Sequence, residues 1–225
     1  MKLTINDAGK LLGLPEVTIQ RWIQQGKIPV QENGEGFFFV KKELEKWAYS
    51  HNIFLHRDIQ KANSKGLFSK YCLLDAMKRG GVFFHVRGDN VKNILRETVS
   101  LSSLPPDADK DLLLDMLLQR ERLASTGIGS GVAIPHPRYP MENLAGEAIV
   151  TTCFLEGAID FNAIDGIPVF VLFLMLSPAT DTHLKFLSRL SFCLRKDSFM
   201  YLLKNCTEKK IFLQKVEEIE GSFNG

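Results

Sequence analysis

Near its start the chain repeats its apolar residues at helical spacing. Ile5, Ala8, Leu11 and Leu12 share one face between Thr4 and Gly13, which predicts a short helix with a hydroxyl cap and a glycine stop. A second helix follows almost at once. Pro15 suits its first position, Ile19, Trp22 and Ile23 form its apolar stripe, and Gly26 ends it before Lys27-Ile28-Pro29. Residues 29–31, a turn at Asn33-Gly34-Glu35-Gly36 and the β-prone run Phe37-Phe38-Phe39-Val40 read as a small hairpin. Leu44, Trp47 and Ala48 mark a third helix.

Residues 53–69 are polar and weakly periodic and read as a linker between a unit at 1–52 and another at 70–221. Beyond it the elements lengthen. Helices are expected at 73–79 and 91–99, with Gly80-Gly81 and a strand at 82–86 between them. Pro105-Pro106-Asp107 reads as opening the next helix, with Leu112, Leu113, Met116 and Leu117 as its stripe. Strands at 148–155 and 169–176 flank a turn containing Asp165-Gly166, and helices fill 182–195, 198–204 and 208–219. Positions 169–176 are all apolar, as in a strand buried on both faces, so the second unit is expected to be α/β, a sheet covered by helices.

The 225 residues exceed the roughly 150 of one ordinary domain, which agrees with two unequal units. With 45% hydrophobic and 24% charged residues the composition excludes global disorder. A net charge of +2 argues for no particular partner, but it is uneven: residues 1–68 hold 10 basic against 7 acidic side chains, the remainder 18 against 19. The cysteines at 72, 153, 193 and 206 lack C-x-x-C spacing and are expected to be buried free thiols. Residues 1–7 carry an acid where a signal peptide needs its apolar segment, and the longest apolar run is far short of the ~20 residues of a membrane helix, so a cytoplasmic location is expected. His51, His56 and His85 show no metal-ligand spacing, and no cofactor is called for.

Two short helices with a tight turn, a hairpin and a third helix outline a winged helix-turn-helix. The second helix leaves Glu16, Thr18, Gln20, Arg21, Gln24 and Gln25 off its apolar stripe, with Lys27 just beyond. Such side chains can reach base edges or phosphates, although a polar helix face is as readily a merely solvated one. The stretch from Leu11 through Val17-Thr18-Ile19-Gln20-Arg21-Trp22-Ile23-Gln24-Gln25-Gly26-Lys27-Ile28-Pro29 resembles the excisionase-like branch of the MerR superfamily. The resemblance implies DNA binding through Glu16, Thr18, Gln20, Arg21, Gln24 and Lys27. The chain departs from that family at Pro15 and in a phenylalanine-rich wing whose basic residues are only Lys41 and Lys42.

The densest signal is Ser125-Thr126-Gly127-Ile128-Gly129-Ser130-Gly131-Val132-Ala133-Ile134-Pro135-His136-Pro137-Arg138. It lacks the spacing of a nucleotide loop. Its glycines permit close backbone approach, and the two prolines restrict the chain on both sides of His136. Arg120 falls on the apolar stripe of the preceding helix, either to hold an anion or to offset the helix carboxyl end. His183 falls in the first turn of the helix after the most apolar strand, where anions bind or a histidine caps.

Taken with Gln119-Arg120-Glu121 and Thr182-His183-Leu184-Lys185-Phe186-Leu187-Ser188-Arg189-Leu190, this pattern resembles the enzyme IIA domain of the fructose, mannitol and nitrogen-regulatory class of the bacterial phosphotransferase system. The resemblance implies an α/β fold with a mixed β-sheet covered by helices on both faces. It also implies a histidine phosphocarrier in which His136 accepts a phosphoryl group from HPr and Arg120 and His183 line the same site. Glycine is common after the active histidine of that family, and here Pro137 offers no backbone N–H. The expected whole is a phosphorylation-responsive regulator that binds DNA; the alternative is a carrier handing phosphate to an enzyme IIB, with the N-terminal unit used for protein interaction.

Overall fold

The computed structural model describes residues 1–14, 16–34, 36–50, 72–141 and 147–222; the expected linker, Pro15, His51 and His56 lie outside them. Contacts divide the chain into two units, Met1–Ser64 and Lys65–Gly225.

The first unit opens with a strand that periodicity missed, β1 (Lys2–Leu3), because two residues are too few to show alternation. In helix α1 (Ile5–Leu12) the Thr4 hydroxyl accepts from the Asp7 N–H, and the Asp7 carboxylate accepts from the Thr4 N–H, both at 3.1 Å. Gly13, at φ +66°, ends it in a conformation that a side chain disfavours. Helix α2 (Glu16–Gln24) follows where the pattern puts it, strand β2 (Gln31–Asn33) starts two residues later than expected, and strand β3 (Gly36–Val40) and helix α3 (Lys41–Ser50) again follow the pattern. The antiparallel sheet has the order β1-β3-β2. Ala8, Leu12, Ile19, Trp22, Phe39 and Leu44 are buried, and the Trp22 and Trp47 rings meet edge to face at 5.7 Å.

The second unit runs α4 (Leu73–Gly80), β4 (Val82–Val86), α5 (Val91–Leu101), α6 (Lys110–Leu123), β5 (Gly127–Gly129), β6 (Val132–Ala133), β7 (Ile149–Ile159), β8 (Val169–Leu176), α7 (Thr180–Leu194), α8 (Asp197–Asn205) and α9 (Lys209–Gly221). Its mixed sheet has the order β4-β7-β8-β6-β5. β4 with β7 and β6 with β8 are parallel; β7 with β8 and β5 with β6 are antiparallel. Alternation along β8 buries both faces. Leu172, Leu174 and Leu176 pack with Ile94, Leu95 and Val99 of α5 and Leu113, Leu114 and Leu117 of α6. On the other face Phe173 meets Phe212 of α9, whose ring also contacts Phe154 of β7 and Phe199 of α8. The sheet is thus covered by helices on both sides.

One carboxylate fastens this layer together. Glu220 of α9 accepts from the Leu73 and Leu74 N–H groups at 2.8 Å each and from the Cys72 thiol at 3.3 Å, and pairs with Arg189 of α7 at 2.5 Å. Both side chains are 9% exposed. The carboxylate caps the first turn of α4, where negative charge is favourable.

Several expectations shift. Helix α6 begins at Lys110 and not at Pro105, because the Asp109 carboxylate caps it by accepting from the Leu112 N–H at 2.9 Å. Its buried stripe is Leu113, Leu114, Leu117 and Arg120, and Leu112 is exposed. The glycine-rich segment, read as a loop, forms the hairpin β5–β6. Cys153 and Cys193 are buried, whereas Cys72 and Cys206 are only half-buried. Among the described residues no helix is long and apolar enough to cross a membrane.

Candidate functional site

The parallel pairing of β6 with β8 carries the chain on to His136. The Met175 N–H donates to the Pro135 carbonyl and the Met141 N–H donates to the Ser177 carbonyl, both at 2.9 Å, so the His136 segment is held at its two ends to β8 and to the residue that follows it. The flanking prolines fix φ on either side. His136 is only 7% exposed, and its Nδ1 lies 2.7 Å from the Ile134 carbonyl oxygen. A carbonyl can only accept, so Nδ1 carries the proton and Nε2 the lone pair. Burial, reinforced by His183 and the Arg120 charge, lowers the His136 pKa to about 3.

His183 lies in the first turn of α7, its N–H bonded to the Ala179 carbonyl at 3.0 Å. Its ring centroid is 4.8 Å from that of His136, the planes tilted by 48°. Burial and then Arg120 lower its pKa to about 4. Arg120 sits in the last turn of α6, 8% exposed, and its Nη1 donates to the Ala124 carbonyl at 2.8 Å. Of the two sequence readings of this arginine, the bond to a carbonyl at the helix end is seen, and its charge also bears on the two imidazoles. Its own pKa is lowered by burial, an effect opposed by Glu121.

Two supporting contacts were not foreseen. The Glu121 carboxylate accepts from the Thr126 N–H at 3.0 Å and from the Thr126 hydroxyl at 2.5 Å, tying the end of α6 to the hairpin. Burial raises its pKa, and the Thr126 bonds pull it down. At the hairpin tip the Ser130 N–H donates to Asp165 at 2.7 Å. Gly131, at φ +79°, leaves no room for a Cβ, which would lie 2.4 Å from the Phe170 ring. The adjacency of Glu121 to Arg120 was the only signal of the first contact; the second joins residues 35 apart, which no local pattern reports.

Of the residues assigned to DNA, Glu16, Gln20, Arg21 and Gln24 are exposed on α2, while Thr18 and Lys27 are half-buried. Ile19 and Trp22, on the opposite face, are buried.

A mixed sheet with helices on both faces and an arginine and two neutral histidines gathered at one site defines a phosphotransferase IIA fold. The family model described as phosphoenolpyruvate-dependent sugar phosphotransferase system, EIIA 2, matches residues 76–219, and the chain belongs to that family. A helix-turn-helix domain model matches residues 3–51. Within the family the chain is similar to nitrogen regulatory proteins. It is 32% identical over 147 residues to the one from Pseudomonas aeruginosa, covering 63% of this chain and 92% of that protein. It is 35% identical over 122 residues to that of Escherichia coli K12, covering 53% and 71%. The crystal structure of nitrogen regulatory protein IIA-Ntr from Neisseria meningitidis matches with a TM-score of 0.58 at 25% identity, over 64% of this chain and 98% of that one.

Proposed function

We propose that this protein is a phosphorylation-responsive regulator of the bacterial phosphotransferase system, in which His136 accepts a phosphoryl group from an HPr-type carrier and the helix-turn-helix binds DNA. The observation that carries the first half is the 2.7 Å contact of His136 Nδ1 with the Ile134 carbonyl, which calls for the proton on Nδ1 and leaves Nε2 as the nucleophile. Nε2 attacks phosphorus in line. The new N–P bond forms as the bond from phosphorus to the donor imidazole breaks, and that electron pair returns to the donor nitrogen, so no proton has to cross. Arg120 offsets the charge on the equatorial oxygens, and His183 with the first turn of α7 supplies N–H donors. Incubation with phosphoenolpyruvate, enzyme I and HPr should place an acid-labile phosphate on the wild type and none on His136→Ala. An unlabelled wild type overturns the reading.

DNA binding is supported by the exposed row of Glu16, Gln20, Arg21 and Gln24 on α2. Phosphate contacts release counterions, so affinity for a duplex should fall as salt rises.

A further inference from the structure

We propose that the Ser177 hydroxyl is a further ligand for the phosphoryl oxygens at the His136 site. This rests on the phosphoryl-acceptor reading above and extends it to the residue that follows β8. Ser177 is 4% exposed, and its Oγ is buried without a hydrogen-bond partner among the described residues. A buried hydroxyl left unpaired is a net cost to the fold, and it calls for something that arrives to meet it.

Strand register gives its position. Val132 of β6 is level with Val171 of β8, so steps of two residues bring His136 level with Met175. The Met175 N–H bond to the Pro135 carbonyl fits that register. Residues level with each other in a parallel pair share a face, so His136 lies on the face of Phe173, which α9 covers. The ring of His183 from α7 meets it there.

Ser177 follows Met175 by two residues and takes the same face. Just past the end of β8 its carbonyl still turns toward the His136 segment, as the Met175 N–H does, and accepts from Met141, two residues beyond the regular register. It is therefore the diagonal cross-strand neighbour of His136. With strands about 4.8 Å apart and a rise of about 3.3 Å per residue, such neighbours stand roughly 8 Å apart, within reach of a phosphoryl group carried on an imidazole nitrogen.

The site has use for such a donor. Pro137 has no N–H, so the backbone directly after His136 offers nothing to a phosphoryl oxygen. A hydroxyl from the adjoining strand supplies a hydrogen bond to a charged acceptor, the strong kind.

The test compares full-length wild type, Ser177→Ala and Ser177→Thr, each phosphorylated with phosphoenolpyruvate, enzyme I and HPr. Three quantities are read: the equilibrium occupancy of His136 against phospho-HPr, the hydrolysis half-life of the phosphoprotein, and the melting temperature of the unphosphorylated protein. In Ser177→Ala the occupancy constant should fall about tenfold and the half-life shorten, with no loss of melting temperature, since no bond is broken in the unphosphorylated state. Ser177→Thr, which keeps the hydroxyl, should recover most of the occupancy. An alanine variant that takes and holds phosphate like wild type overturns the proposal. So does a parallel drop in occupancy and melting temperature that threonine does not rescue, which assigns Ser177 to packing. A wild type that takes no label overturns the acceptor reading itself, and this proposal with it.

Discussion

The rings of His136 and His183 stand 4.8 Å apart and are both neutral at pH 7, their pKa values pressed down to about 3 and about 4. Two imidazolium ions so close, beside Arg120, would repel and would leave no lone pair for attack. Burial removes both problems by penalising the charged forms.

Stability should therefore depend on pH in one direction. Above pH 6.5, the ordinary value, both histidines are neutral whether folded or not. As pH falls below it, the unfolded chain takes up protons that the folded protein refuses until about pH 4 for His183 and about pH 3 for His136. The free energy of unfolding should fall by up to about 1.4 kcal/mol per pH unit for each histidine. Urea midpoints between pH 7.5 and 4.5 measure this, and His183→Asn should flatten the curve.

Arg120→Gln should slow phosphoryl acceptance more than it unsettles the fold. Its bond to Ala124 lies at a helix end, whereas its charge serves the transferring group. A loss of about 100-fold in transfer rate is expected from removing such a stabilising group. Rapid-quench transfer from phospho-HPr reads the rate, and a thermal melt reads the fold.

Glu220→Ala should be costly far from the site. It leaves Arg189 buried without its carboxylate and the first turn of α4 uncapped. Breaking a buried pair on one side costs about 3–5 kcal/mol. Denaturant unfolding of the full chain checks this.

Arg21→Ala should weaken DNA binding and lower the slope of log affinity against log salt by about one if the guanidinium meets a phosphate. If it meets a guanine instead, discrimination at one base pair should fall by about 1–3 kcal/mol with the slope unchanged. A salt titration on matched and mismatched duplexes separates the two outcomes.

Much of this molecule is written in local pattern. Thr4, Gly13 and Gly26 punctuate the first helices because caps and left-handed stops are chemistry of single residues. The burial of β8 on both faces was plain because every position is apolar. Arg120, His136 and His183 were legible as residue types in unusual company, and the structure brings all three together. The Ile134 carbonyl that sets the His136 tautomer is backbone, which carries no letter in the sequence. The Pro105-Pro106 pair drew the α6 start too early, since an aspartate cap outcompeted it. Glu220 joins residues 146 to 148 apart, and Asp165 reaches 35 residues back, distances over which periodicity says nothing.

The carboxylate of Glu220 lies almost at the end of α9, yet it grips the first turn of α4. Among the described residues the first helix of the second unit and its last are thus held together at one point, like a ring closed by a clasp. A module closed in this way can follow another in one chain without pulling on its distant parts. Linking the end of α9 to the start of α4 and reopening the chain at a surface turn should still yield a folded protein. Cutting α9 before residue 220 should not.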